Sequence, residues 1–156
     1  MGSHSDARAE SEERAVSGCL FCQIARGERT SHTIFAGDGV VAFLDIFPCA
    51  PGHTLVIPCQ HYATLAEMPA EEVGRLFQVA AMVATKVQGA MGAAGFNLGI
   101  NSGKAAGQEV FHVHVHIIPR YPDDGGGSMK SVAHFKGKET VEQIAAKLRP
   151  AFTSSP

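Results

Sequence analysis

A single domain mixing strands with helices is what this sequence predicts, and three observations carry the prediction. Phe111 to Pro119 alternates as a strand does, placing His112, His114 and His116 on one face and Val113, Val115 and Ile117 on the other. Two apolar runs flank the turn Gly37-Asp38-Gly39, a hairpin signal. Met68 to Met91 carries apolar residues every three to four positions, the period of one long helix. With 156 residues, the chain is long enough for one sizeable core.

Composition narrows the function classes. The chain is 45% hydrophobic and 18% charged with a formal net charge of -2, ordinary values for a globular protein. Without a basic excess it is not built to wrap duplex nucleic acid, although a small phosphorylated ligand needs only a few donors. No run approaches the roughly 18 consecutive apolar residues of a membrane span, so no membrane association is expected. The polar, acidic N-terminus does not read as a signal peptide, so the four cysteines are expected to be free or metal-bound in a cytoplasmic protein.

Residues 1–17 contain Val16 as their one large apolar side chain besides Met1, too little to offset ordering entropy, and are expected to form a disordered tail. Order is expected from Gly18. Cys19 and Cys22 have the spacing that lets two thiolates grip one metal from a short helical turn, which Gly27 would stop. A redox pair shares this spacing but needs a strand before it, and only the tail precedes Cys19. Metal is favoured if two further ligands exist.

Residues 32–36 and 40–45 read as the hairpin strands, 53–58 as an apolar and therefore central strand, and 96–101 as another. Between them, Asp45 to Gly52 forms a loop stiffened by Pro48 and Pro51. In the long helix Val73, Leu76, Phe77, Ala80, Val83, Ala84, Val87 and Met91 make the apolar stripe, a core-packing face. Pro69 suits its first turn, Glu71 and Glu72 suit the positive end of its dipole, and Gly92 and Gly95 stop it. Ser102 to Gln108 is a loop of small residues ahead of the histidines, where main-chain N–H groups can approach an anion and Lys104 adds charge. Past Pro119 the chain is irregular until a final helix over roughly 140–148, opened by a capping box between Thr140 and Gln143.

His112-Val113-His114-Val115-His116-Ile117-Ile118 matches the signature of the histidine triad family, His-x-His-x-His followed by two apolar residues. Asn101, Gly103, Gly107 and Gln108 resemble that family's phosphate loop, and Phe43-Leu44-Asp45-Ile46 and Pro51 to Pro58 resemble its other motifs. The resemblance spans about residues 18–120, the expected HIT domain, with 121–156 as a C-terminal extension of the same domain carrying the short helix. It implies an α+β fold: an antiparallel sheet of about five strands, one long helix packed on it, a short N-terminal helical turn and a C-terminal helix. It also implies a homodimer, formed through the long helix and its neighbouring strand.

The resemblance implies a nucleotidyl hydrolase that cleaves purine nucleotide derivatives at the α-phosphate, such as dinucleoside polyphosphates or adenosine phosphoramidates. His114 would attack, giving a nucleotidyl-histidine that water hydrolyses, since neutral imidazole is a good nucleophile toward phosphorus. Its other nitrogen then needs a fixed acceptor, which a nearby main-chain carbonyl could supply. His116 would donate to a phosphate oxygen, while Asn101, Gln108 and main-chain N–H groups after Gly107 would hold the phosphate and leaving oxygen. Asp45 would accept from the ribose hydroxyls, Ile46 and Phe43 would form the base slot, and His53 would pack behind the triad. Glu109 stands where several members carry Ser or Thr near the leaving group, so the leaving-group preference is left open. Branches of the family carry a structural zinc on ligands that correspond here to Cys19, Cys22, His61 and His112, a closed set of two thiolates and two imidazoles. No catalytic cofactor is expected. His116 argues against the transferase branch, which has glutamine there. The alternatives are a nucleotide-binding or scaffold protein with incidental turnover, and a catalytic metal on the three histidines.

Overall fold

A computed structural model describes residues 16–134 and 136–153. The tail expected over 1–17 lies, for residues 1–15, outside the described residues, and residues 16–18 are helical. By its internal contacts the chain divides into two compact units, one through Gly126 and one from Gly127.

The first unit is a five-stranded antiparallel sheet in the order β1-β2-β3-β5-β4. The strands are β1 (Thr33–Gly37), β2 (Val40–Leu44), β3 (Thr54–Pro58), β4 (Gly95–Gly99) and β5 (Val115–Arg120). Asp38 and Gly39 link β1 to β2 with positive φ at both positions, 54° and 73°, the tight turn whose twist matches a hairpin. β3 is buried along its whole length, as its apolar density predicts.

Helix α1 (Leu20–Ala25) and helix α2 (Ala70–Met91) take the two faces of the sheet. Alternation sorts the strand residues between them. Val40, Ala42, Val56, Val115 and Ile117 pack on Leu76, Val79, Ala80, Val83, Ala84 and Val87 of α2. Val41, Phe43, Leu55 and Ile57 point the other way and pack on Phe21 of α1. Truncating a wholly buried member of the α2 stripe, such as Leu76 to Ala, costs about 2–5 kcal/mol. Val79 belongs to the stripe although the apolar period missed it, and Met91 at the end is exposed.

The long helix begins two residues later than Met68. Met68 is extended because a proline follows, and Pro69 sits at the cap position, its carbonyl accepting the Val73 N–H. Gly92 closes the helix in the left-handed conformation at φ 61°. α1 is shorter by nature: six residues that end where Gly27 turns with φ 72°.

The second unit contains helix α3 (Val141–Leu148). Thr140 and Gln143 close the capping box in both directions, with the Thr140 hydroxyl accepting the Gln143 N–H and the Gln143 side chain accepting the Thr140 N–H.

Candidate active site and metal cluster

α1 covers only part of its sheet face, and the remainder is a cleft of about 490 Å³, the size of a small-molecule site. His114 and His116 line it between Asp45 and Ile46 after β2 and Asn101, Gly107 and Glu109 of the β4–β5 connection.

The three histidines do not share one strand. β5 begins at Val115, where it pairs with Val56, and only His116 lies on it, opposite Leu55 and Gly99. His112 and His114 precede it because the Val113 N–H goes to the carbonyl of Tyr62, 2.8 Å away, rather than into the ladder. The alternation survives this departure: Val113, Val115 and Ile117 are all in the core, while the imidazoles face the other way.

Each imidazole has one nitrogen committed, and the commitment decides what the other can do. His114 Nδ1–H donates to the main-chain oxygen of His112 at 2.7 Å, which leaves the lone pair on Nε2. The Phe21 ring meets His114 edge-on, with centroids 5.2 Å apart, and limits how the imidazole can swing. For His116 the order is reversed. The Cys49 N–H donates to His53 Nδ1 at 3.3 Å, so His53 carries its hydrogen on Nε2 and donates to His116 Nδ1 at 2.9 Å. The hydrogen of neutral His116 is then on Nε2, a buried atom with no partner among the described residues. A buried donor without a partner is costly, and one facing a cleft is a donor reserved for a ligand.

Electrostatics keeps this pair uncharged. Burial, with His114 and His53 alongside, holds His116 down to about 4 against the opposing pull of Asp45. Burial lowers His53 as well, again opposed by Asp45. Asp45 Oδ1 accepts the Phe47 N–H at 2.9 Å, and Oδ2 lies 3.7 Å from His53 Nε2. The carboxylate is thus fixed at the mouth of the cleft, beside the exposed Ile46 and Phe47 and the buried Phe43.

Gln108 is buried and its amide is fully used: Oε1 accepts the Gly103 N–H at 2.8 Å, and Nε2 donates to the carbonyls of Ala63 at 2.6 Å and Val110 at 3.1 Å. It clamps the loop from within instead of reaching the phosphate directly. Gly107 has φ 85°, and a Cβ there would meet nothing within 4 Å, so its backbone is open to a close-lying group. Lys104 is exposed on a short helical turn of the same loop and is not among the cleft-lining residues.

Behind the histidines the structure brings together Cys19, Cys22, His61 and His112, whose donor atoms all lie within 4.8 Å of one another. His112 Nε2–H donates to the Pro58 carbonyl at 2.9 Å, so Nδ1 presents its lone pair, 3.6 Å from Cys19 Sγ and 3.4 Å from Cys22 Sγ. His61 Nδ1 is 3.3 Å from Cys22 Sγ. Burial holds His112 down to about 4, the neutral state a ligand requires, and pushes the Cys22 thiol up to about 12, with Cys19 adding to the rise. A divalent cation reverses that rise, because it binds the thiolate. This set could hold a metal ion.

Sequence analysis assigned no role to Cys49 or to Phe21. Cys49 orients His53, and its one sequence signal is its position four residues before that histidine in the two-proline loop. Phe21 lies inside the Cys-x-x-Cys turn, where its apolar side chain is its one sequence signal.

The family model described as HIT domain matches residues 26–123. The adenylylsulfatase HINT3 of Arabidopsis thaliana is 39% identical over 123 residues, covering 79% of this chain and 62% of that protein. The crystal structure of a HIT family protein from Bacillus anthracis superposes with a TM-score of 0.76 at 33% identity, covering 89% of this chain and 98% of the other. A zinc-bound histidine triad family protein from Mycobacterium smegmatis has a TM-score of 0.67 at 32% identity, covering 87% and 99%.

Proposed function

Because this chain belongs to the histidine triad family, we propose that it is a nucleotidyl hydrolase acting at the α-phosphate of purine nucleotide derivatives through a nucleotidyl-histidine intermediate. One observation carries the reading: His114 and His116 are held in opposite tautomers at one cleft wall. The Nε2 lone pair of His114 attacks phosphorus, and the bond to the leaving group breaks. His116 Nε2–H donates to the phosphate and leaving group, where negative charge accumulates. Water then attacks the phosphorus, His114 departs with its electron pair, and the nucleoside monophosphate is released. Asp45 accepts from the ribose hydroxyls, Phe43 and Ile46 flank the base, and Asn101 with the Gly107 backbone steadies the phosphate.

The metal is zinc in this reading, held by Cys19, Cys22, His61 and His112. Zinc bonds of about 2.3 Å to sulfur and 2.0 Å to nitrogen, arranged as a tetrahedron, set mixed ligand atoms about 3.5 Å apart. The contacts of 3.3, 3.4 and 3.6 Å already have that spacing. Four protein ligands leave no open position, so the ion supplies stability, joining α1 to the segment that carries His112. Two zinc thiolates, Cys19 and Cys22, beside two further reduced cysteines, Cys49 and Cys59, fit a reducing compartment such as the cytoplasm. A homodimer is supported by the exposed Phe96 on edge strand β4 and Met91 at the end of α2.

The test is turnover of an adenosine 5′-phosphoramidate and a dinucleoside polyphosphate, with acid-quenched protein analysed by mass spectrometry. AMP release, with an adenylyl group carried on His114, is expected. If neither substrate releases AMP while AMP still binds, the chain is a nucleotide-binding protein and the hydrolase reading fails.

A further inference from the structure

Glu109 lines the cleft beside His114 and His116, yet the hydrolysis as derived leaves it without a task. It is exposed, and among the described residues its side chain has no ion-pair or hydrogen-bond partner. It belongs to the β4–β5 connection that also carries Asn101 and Gly107. In the sheet order β4 flanks β5 on one side, while Asp45 leaves β2 on the other side. The ribose and base, on the Asp45 side, therefore point the leaving group toward Glu109.

The charges on the cleft wall are unusual for a site that would take a polyphosphate. Among the described residues that line the cleft, Asp45 and Glu109 are acidic and Arg29 is the one Arg or Lys, and Lys104 is not part of the lining. A leaving group with further phosphates would place several negative charges against this carboxylate. An amine leaving group with a second, cationic nitrogen would place an opposite charge there.

We propose that Glu109 is a specificity-determining residue that selects nucleoside 5′-phosphoramidates whose departing amine bears an additional positive charge. The proposal rests on the hydrolase reading and specifies its substrate class. In the first step the His114 Nε2 lone pair forms the new N–P bond. The electron pair of the old P–N bond goes to the leaving nitrogen, which takes a proton from water in the cleft while His116 Nε2–H stays hydrogen-bonded to the phosphate oxygen, and departs as a neutral amine bearing its distal ammonium. The hydroxide left by that water attacks the phosphorus of the nucleotidyl-histidine, and His114 departs with its electron pair. Glu109 takes no part in bond making. It attracts the distal ammonium and repels an anion in the same place.

The experiment compares kcat/KM for three adenosine 5′-phosphoramidates, made from ethylenediamine (cationic), propylamine (neutral) and β-alanine (anionic), with adenylyl sulfate as a second anionic case. For the wild type we expect about a tenfold preference for the cationic over the neutral amide, and about a tenfold penalty for the anionic amide, both shrinking as salt is raised. In Glu109→Gln the three amides should fall within about twofold of one another. If the wild type cleaves all three amides equally, or if Glu109→Gln keeps the wild-type ranking, Glu109 does not select charge while the hydrolase reading stands. If the wild type cleaves none of the four, that reading fails and this one falls with it.

Discussion

His112 and His114 are two residues apart, both buried, and made of the same imidazole, yet they present opposite nitrogens to different surroundings. His112 gives its Nε2–H to the Pro58 carbonyl and keeps Nδ1 for the thiol cluster. His114 gives its Nδ1–H to the carbonyl of His112 itself and keeps Nε2 for the cleft. The difference lies in which carbonyl takes the other nitrogen. The chemistry of a histidine here is set by main-chain oxygens that carry no sequence information of their own. Each carbonyl depends on local packing: Pro58 ends β3, and His112 has left the strand ladder because Tyr62 takes the Val113 N–H.

The sharpest way to break this division is to remove one side of it at a time. His114→Asn should reduce turnover by about 10⁴-fold or more while leaving metal content and melting temperature at wild-type values, checked by single-turnover kinetics beside thermal unfolding. Loss of the metal with that substitution would show that the clusters are not separate. Cys22→Ser should do the converse. It should drop metal content well below one ion per chain by mass spectrometry, and lower the melting temperature by roughly 10 °C, the equivalent of about 3 kcal/mol or more in a domain of this size. Turnover at a temperature where the variant remains folded should stay within a few-fold. Dialysis of the wild type against a chelator is expected to follow the Cys22→Ser pattern; activity lost with the metal and restored by it, without unfolding, would instead place the ion in the reaction.

His53 tests the division within the catalytic side. It touches neither the reacting atoms nor the thiol cluster, and acts through His116 Nδ1. His53→Phe removes the donor that fixes the His116 tautomer, so kcat should fall about 10²-fold with KM little changed. His53→Gln can restore a side-chain N–H near that nitrogen and should recover part of the loss. Equal loss in both variants would mean that His53 matters for packing alone.

How much of this was legible in the sequence differs between the two clusters for a physical reason. Of the metal set, spacing made only the Cys19 and Cys22 pair legible; His61 and His112 came with the family resemblance, and the fold brings all four together. The hairpin and the central strand were readable from the apolar runs of Val40 to Phe43 and Leu55 to Ile57, whose residues α1 and α2 bury on the two faces of the sheet. The catalytic side was readable only as a set of residue names. That Gln108 spends its amide on Gly103, Ala63 and Val110 depends on a loop closure that no periodicity encodes. That Cys49 supplies the N–H for His53 depends on main-chain geometry, for which cysteine as a residue type gives no hint. The break in the strand before Val115 has the same origin, a single hydrogen bond to Tyr62.

The smallest predicted effect concerns protons, and it separates His116 from the thiol cluster by subtraction. His116 is held down to about 4 in the folded protein, mainly by burial, whereas an unfolded histidine takes its proton near 6.5. Between those values the unfolded chain binds a proton that the folded chain refuses, so folding stability is full above about pH 6.5 and falls as pH drops toward 4. His53 is shifted in the same direction and adds to the slope. Carboxylates and the metal ligands also titrate in acid, but they are present equally in His116→Gln. The difference in melting temperature between wild type and His116→Gln isolates the one imidazole. Wild type should lose roughly 2–4 °C more than the variant between pH 7 and pH 5. Parallel curves would mean that His116 is already protonated or solvated in the folded state, and its Nε2 would then not be the buried donor that the cleft presents to a phosphate.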